Sequence, residues 1–299
     1  MINEKNNYED YLMNYHELLK KAGQDLIAAG KEERDARQLL LYLKKWSVAD
    51  YLKYGVAEVA KEEEICYQEL LKKRTQGVPV QEITGSQNFY GYEITVSPDV
   101  LTPRPETEQL VELALREMES LQWPKVLDLC TGSGCIAIAI AAENKKAQVT
   151  AIDISDQALQ LAEKNGEQNL VNDRITWLKS DLFEGLEERG FDIIISNPPY
   201  IPTNEIADLE IEVKQYDPQL ALDGGVDGLY FYRKIAEAGI NFLKPGGKLF
   251  LEIGDGQGSD IAGILRSSHW QDVQVLPDYA GRQRMVVAGK PGHEKIERN

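Results

Sequence analysis

The hydrophobic pattern changes its period partway along the chain. Tyr8, Tyr11, Leu12, Tyr15, Leu18, Leu19 and Ala22 recur at three- and four-residue steps, which places them on one face of an α-helix. Ala36, Leu39, Leu40 and Leu43 repeat the spacing in a second helix, Ser47 stands where it could cap a short third one, and residues 59–74 read as a fourth. A small helical bundle over residues 1–77 follows; it carries no chemical constellation and suits substrate recognition or a lid. "TQGVPVQEITGSQ" then breaks the helical period with two glycines and a proline, and "QEITG" and "NFYGYEITV" read as the two strands of a hairpin. Residues 78–102 are assigned to this hairpin linker. In "TPRPETEQLVELALREM", Pro105 stands near the first turn of a helix, with Glu106 and Glu108 complementing its positive end.

From Lys125 onward short β-rich segments alternate with helical stretches. "KVLDL", "AQVTAID", "ITWLKSD", "FDIIIS", "KLFLEIG" and "DVQVLP" are the strands, residues 135–142, 156–168 and 228–242 are helices between them, and "RQRMVVAG" adds a last strand. The alternation predicts an α/β domain over residues 103–299, with an open, mostly parallel sheet covered by helices on both faces. Ligands of such sheets bind beyond the carboxyl ends of the strands, where the strand order reverses. The residues that follow each strand are therefore the candidates.

Composition narrows the class. The 299 residues are 42% hydrophobic and 27% charged, ordinary for a soluble chain long enough for two domains. The longest apolar run, residues 136–142, is too short to span a bilayer, and "MINEKNNYEDYL" lacks the apolar core of a secretory signal. Cys66, Cys130 and Cys135 show no paired metal-ligand spacing; free thiols, no metal and a cytoplasmic location are expected. The net charge of −16 is uneven: residues 1–80 hold 14 acids and 13 bases, so nearly all of the excess lies beyond them. Such a surface is poorly suited to gripping a phosphate backbone; it suits a basic partner better, or it serves solubility alone.

Three strand ends describe a nucleoside pocket. "DLCTGSGCIAIAIA" offers Gly132 and Gly134 for a tight turn into a helix N-terminus, with Thr131 and Ser133 between and before them. Asp153 follows 19 residues after Gly134, where an acid accepts hydrogen bonds from ribose hydroxyls. In "KSDLF", Asp181 can accept from an adenine amino group and Leu182 can pack on the ring. NAD would fit a glycine turn and an acid, but Ala137 stands where a third glycine would, and no hydride-relay residue follows; His16, His269 and His293 are scattered. The phosphate-loop pattern is absent, which counts against ATP. S-adenosylmethionine fits better, with its amino-acid end at the glycine turn.

The strand ending in "FDIIIS" runs into "NPPYI". Each of Asn197 and Pro198 precedes a proline, which restricts its backbone to extended angles, and prolines have no N–H. A stiff loop results, offering the Asn197 side-chain oxygen and the Pro198 backbone oxygen as fixed acceptors beside the flat face of Tyr200. That pair suits a planar N–H₂ group whose nitrogen is a poor nucleophile because its lone pair is delocalised. Accepting both protons returns electron density to nitrogen and aims the lone pair, a gain from positioning and from hydrogen bonds that strengthen as charge develops. A carboxylate would set oxygen against oxygen, a mismatch that can discriminate by roughly 10⁴.

In this order, "VLDLCTGSGCIAIA", "AIDIS", "SDLF" and "SNPPY" resemble the class I S-adenosylmethionine-dependent methyltransferases that act on amino groups. "FYG", "LTPRPETE", "ALDGGVDGL" and "LEIG" are similar, more narrowly, to the release factor glutamine methyltransferases, the HemK/PrmC family, over nearly the whole chain. The resemblance implies a Rossmann-like catalytic domain, an N-terminal helical domain that recognises substrate, and methylation of the glutamine side-chain amide in the Gly-Gly-Gln loop of bacterial class I peptide chain release factors. It implies Thr131, Gly132, Ser133, Gly134, Asp153, Asp181, Leu182 and Asn197 at the cofactor. Asn197, Pro198, Pro199 and Tyr200 would hold the glutamine, with Asn197, Pro198 and Tyr200 catalytic. The family often has tyrosine in place of Glu82 and glutamate in place of Asp217, and the pattern Asp278, Gly281, Arg284 also resembles it, without an assigned role. N-P-P-Y is shared with adenine-N6 DNA methyltransferases and some ribosomal RNA methyltransferases, so methylation of a nucleic-acid base is the alternative. The acidic charge of the catalytic part counts against it. A binding module that merely retains a nucleoside pocket would have no need of the intact Asn-Pro-Pro-Tyr loop.

Overall fold

The computed structural model describes residues 13–292; Tyr8, Tyr11, Leu12 and His293 lie outside them. The chain divides into two compact units, Met1–Thr84 and Gly85–Asn299. The first holds helices α1 (Tyr15–Ala28), α2 (Glu33–Lys44), α3 (Val48–Tyr54), α4 (Lys61–Thr75) and α5 (Val80–Thr84). Two starts are fixed by reciprocal caps, Asn14 with Glu17 at α1 and Ser47 with Asp50 at α3, each satisfying two backbone donors that a helix N-terminus leaves open. The apolar stripes of α1 and α2 meet around Leu18, Leu26, Leu39, Leu40, Tyr67 and Leu71. Within that core the Tyr67 hydroxyl donates to the Ala36 carbonyl at 2.7 Å, and Arg74 pairs with Asp35 at 2.6 Å.

"QEITG" is helical, where the sequence pattern predicts a strand. Pro79 precedes the segment with a fixed φ, Ile83 donates back to the Pro79 carbonyl at 3.1 Å, and Gly85 ends the turn at φ +73°. The β-branched side chains of Val80 and Ile83 pack on the helical core, so burial overrides strand propensity. The hairpin lies just after it, within the second unit, as β1 (Ser86–Phe89) and β2 (Tyr92–Thr95).

The second unit continues with α6 (Pro105–Met118), β3 (Lys125–Leu129), α7 (Cys135–Glu143), β4 (Gln148–Asp153), α8 (Asp156–Gln168), β5 (Ile175–Lys179), β6 (Phe191–Ser196), α9 (Ile211–Tyr216), α10 (Gln219–Leu222), α11 (Tyr230–Ala238), β7 (Leu243–Glu252), α12 (Gly258–Ser267), β8 (Gln271–Pro277) and β9 (Gln283–Gly289). Its seven-stranded sheet has the order β5-β4-β3-β6-β7-β9-β8. The pairs from β5 across to β7 are parallel, and β9 is antiparallel to both β7 and β8, giving the mostly parallel Rossmann-like architecture.

Strand alternation divides the core between the two faces. Val126, Ile193 and Ile195 face α6 and α7 with the hairpin's Phe89 and Ile94, while Leu127, Leu129, Ile194 and Leu251 face α11 and α12. Every residue of α7 from Cys135 to Ala141 is buried, so this helix shows no polar stripe. After β3 the chain adds strands to one side, and β6 then returns to the other. The reversal point lies between β3 and β6, where Leu129 pairs with Ser196. The chain segments leaving these two strands therefore begin side by side.

Candidate active site

A cavity of about 210 Å³ opens at this reversal point. Thr131, Gly132, Ser133, Asp153, Asp181, Leu182, Asn197 and Pro199 all line it, together with Thr107 and the segment from Asp99 to Arg104. Gly134, Pro198 and Tyr200 are not on the wall. Sequence positions spread over more than 60 residues are thus brought to one space, while Gly134, Pro198 and Tyr200 are chain neighbours of lining residues.

The glycine turn is held from below and from the side. Asp128, fully buried near the end of β3, accepts the Thr131 hydroxyl at 2.6 Å. Asp153 accepts the Gly132 amide at 2.9 Å with one oxygen and the Ser155 amide at 2.9 Å with the other. Burial raises both carboxyls above their usual range, that of Asp128 to about 7. Gly134 sits at φ +81°, and a Cβ there would come within 2.9 Å of the Ala162 Cβ, so glycine allows α8 to pack against the turn. A Cβ at Gly132 would meet nothing within 4 Å, so this edge of the turn faces open space. The Ile154 amide also faces the carboxylate, and of the roughly four lone-pair sites on its two oxygens at least one remains for a ribose. The room beside Gly132 and the remaining acceptor capacity of Asp153 fit S-adenosylmethionine. Cys130 and Cys135 also line the cavity, and burial pushes both thiols up, which disfavours the thiolates.

The loop after β6 is buttressed on several sides. The Ser196 hydroxyl donates to the Leu129 carbonyl at 2.7 Å, tying the ends of β6 and β3. The Tyr200 carbonyl accepts from the Gln257 amide at 2.9 Å, Ile201 donates to Leu222 at 3.0 Å, and Gly224 donates back to Ile201 at 2.8 Å. A Cβ at Gly228 would stand 2.4 Å from the Tyr200 carbonyl oxygen. The "ALDGGVDGL" segment is the clamp on the Asn-Pro-Pro-Tyr loop.

Two polar groups missed by sequence reasoning meet Asn197. Its Nδ2 donates to the Thr107 hydroxyl at 3.3 Å, and that hydroxyl donates to Glu252 Oε2 at 2.6 Å. Glu252 is 2% exposed at the end of β7, and burial raises its carboxyl to about 7, with Thr107, Arg284 and Asn197 pulling the other way. The signals were a single acid ending the apolar run "KLFLE", since a buried polar residue is more informative than a buried apolar one, and the family-like segments "LEIG" and "LTPRPETE" that contain Glu252 and Thr107. Arg284 donates to the Ile253 carbonyl at 3.3 Å and lies 3.6 Å from Asp278, whose carboxylate accepts the Ala280 and Arg282 amides at 2.9 Å each. The Asp278, Gly281, Arg284 pattern thus shapes the turn between β8 and β9 and sets a cation beside Glu252. At the cavity's other edge Arg104 pairs with the largely buried Asp217.

No helix among the described residues is long and apolar enough to cross a membrane. The parallel sheet, the glycine turn over an acid-ended strand and the Asn-Pro-Pro-Tyr loop at the reversal point together define an S-adenosylmethionine-dependent methyltransferase. Residues 107–212 match the family described as the Methyltransferase small domain, and residues 17–85 match the PrmC N-terminal domain. The chain is 41% identical over 275 residues to the release factor glutamine methyltransferase of Cereibacter sphaeroides, covering 91% of this chain and 97% of that one. To the enzyme of the same name from Bacillus anthracis it is 35% identical, covering 92% and 99%. This chain belongs to the release factor glutamine methyltransferase family. Among solved structures, the hMettl16 catalytic domain in complex with an RNA hairpin aligns with 98% of each chain at a TM-score of 0.58 and 15% identity, a likeness of fold alone.

Proposed function

We propose that the chain methylates N5 of the glutamine side chain in the Gly-Gly-Gln loop of bacterial class I peptide chain release factors, in the cytoplasm. The observation that carries the reading is the tether on Asn197. Its amide nitrogen is engaged by Thr107, which leaves Oδ1 as the group with capacity for a ligand N–H in the cavity it lines. Asp153, Asp181 and Leu182 would hold the ribose and adenine of the cofactor, and residues 131–134 its amino-acid end. S-adenosylmethionine, when bound, supplies a methyl carbon on a positively charged sulfur.

Asn197 Oδ1 and the Pro198 carbonyl would accept the two protons of the glutamine amide, with Pro199 and Tyr200 bounding the loop that carries them. Those two bonds turn the nitrogen's lone pair out of conjugation and toward the cofactor side of the cavity, and they strengthen as the nitrogen becomes positive. The amide proton grows acidic only at that stage, so the chemistry calls for placed oxygens rather than a strong base. The helical unit would engage the release factor away from its glutamine. The acidic surface of the catalytic unit favours a basic protein loop over a nucleic-acid backbone.

With methyl-labelled S-adenosylmethionine, label is expected in purified release factor and absent when the loop glutamine is replaced by alanine; label in DNA or ribosomal RNA instead would overturn the substrate assignment. Asn197→Ala should lower kcat by about 10²–10³-fold, the scale of losing one placed electrostatic partner, while calorimetry finds cofactor affinity within about threefold of the parent.

A further inference from the structure

An asparagine can present either end of its amide, and only the oxygen-out orientation serves a substrate N–H₂. Something in this site must choose between the two. The Asn197 side chain faces Thr107 on α6 and Glu252 at the end of β7. Thr107 is 2% exposed, and its hydroxyl lies 2.6 Å from Glu252 Oε2. A hydroxyl has one hydrogen, and an ionised carboxylate can only accept. The Thr107 hydrogen is therefore committed to ionised Glu252, and the hydroxyl oxygen is left to accept from Asn197 Nδ2 at 3.3 Å. Both groups facing that end of the amide are then acceptors. The N–H₂ end is held inward and Oδ1 is left for the cavity.

We infer that Glu252, acting through the Thr107 hydroxyl, is a positioning residue that fixes Asn197 with its oxygen toward the substrate and so makes the site select an amide over a carboxylate. This rests on the reading that Asn197 Oδ1 receives the glutamine N–H₂. If Glu252 gains a proton, it can donate to Thr107 or to Asn197 itself, and the inverted amide becomes equally well bonded. The groups facing Glu252 are Thr107 and Glu106 from α6, Cys135 from α7, Asn197 and Tyr200 from the loop after β6, Tyr232 from α11 and Arg284 from β9. Arg284 supplies the cation that favours the ionised form against burial and Glu106. Because burial brings the carboxyl to about 7, the choice of orientation changes across neutral pH. Activity therefore rises with pH as Glu252 ionises.

The experiment compares the parent enzyme with Glu252→Gln, Thr107→Val and Thr107→Ser on purified release factor over roughly pH 6 to 9. In the parent, kcat/KM should rise through about 7; in Glu252→Gln that rise should vanish, with a loss of about 10–100-fold on the plateau. Thr107→Val should lose a similar factor, Thr107→Ser should recover to within about threefold, and the Glu252→Gln/Thr107→Val double variant should be no worse than either single change, as members of one relay are not additive. A release factor carrying glutamate in place of its loop glutamine should inhibit Glu252→Gln at least about fivefold more tightly than the parent, because the inverted Asn197 then offers N–H₂ to a carboxylate. Loss of fold alone would not produce that gain, and cofactor affinity by calorimetry should stay within about threefold in every variant. An unchanged pH profile in Glu252→Gln, additive losses, or no gain in binding of the glutamate form would overturn the positioning role. Failure of the parent to label the loop glutamine would instead overturn the proposed function, leaving the two outcomes separable.

Discussion

Asp153 has a structural role beside the ribose contact proposed for it. As a strand-end acid it was readable from its spacing after the glycine turn, because parallel α/β topology gathers successive strand ends at one edge. Its bonds to the Gly132 and Ser155 amides were not readable, since they depend on how two loops approach each other in space. Asp153→Ala should therefore do more than remove a ribose acceptor: it leaves two backbone donors without their partner and loosens the turn. Isothermal titration should find cofactor affinity reduced by about 100-fold, with Asp153→Asn in between because it keeps one acceptor oxygen. If affinity is unchanged, the ribose is held by other groups. Thr107 and Glu252 mark the opposite limit of sequence legibility. They touch across 145 positions; "LTPRPETE" and "LEIG", which contain them, resemble the family, but nothing in the sequence pairs the two residues or gives either a role.

At the level of elements, most of the alternation was visible because each strand and helix buries a face with its own period. Helix α8, Asp156–Gln168, follows from its apolar spacing and from Ser155, whose hydroxyl accepts the Ala158 amide at 3.2 Å. The misread element, α5, is too short for a period to distinguish helix from strand. The "ALDGGVDGL" segment had no recognisable period either, and its importance lies in close approach: Gly228 takes φ +71° directly against the Tyr200 carbonyl. Gly228→Ala should push the segment off the Asn-Pro-Pro-Tyr loop, costing about 1–3 kcal/mol of stability. The loop's carbonyls would lose their placement, so kcat should fall by at least about tenfold while cofactor affinity holds, because the glycine turn and Asp153 are tied to each other through the Gly132 amide and not to the displaced segment. Equal losses in kcat and cofactor binding would instead mean that the whole strand edge had collapsed.

For the molecule as a whole, buried acids link the integrity of the site to pH. Asp128 is fully buried under the glycine turn, and burial lifts its carboxyl from an ordinary 3.8 to about 7. Between those values the folded chain holds a proton that the unfolded chain has released. Stability then falls as pH rises across this window, and levels off once Asp128 is ionised in both states. The acidic excess of the second unit adds repulsion in the same direction, so a bare pH–stability curve would not isolate Asp128. Asp128→Asn isolates it, since asparagine keeps an oxygen for the Thr131 hydroxyl and cannot ionise. Denaturant unfolding of parent and variant should give similar stabilities near pH 4 and a growing advantage for Asp128→Asn toward pH 8, reaching on the order of 3 kcal/mol. A constant difference across that range would mean that Asp128 titrates normally in the folded chain. The turn beneath the cofactor would then be held by an ionised carboxylate throughout.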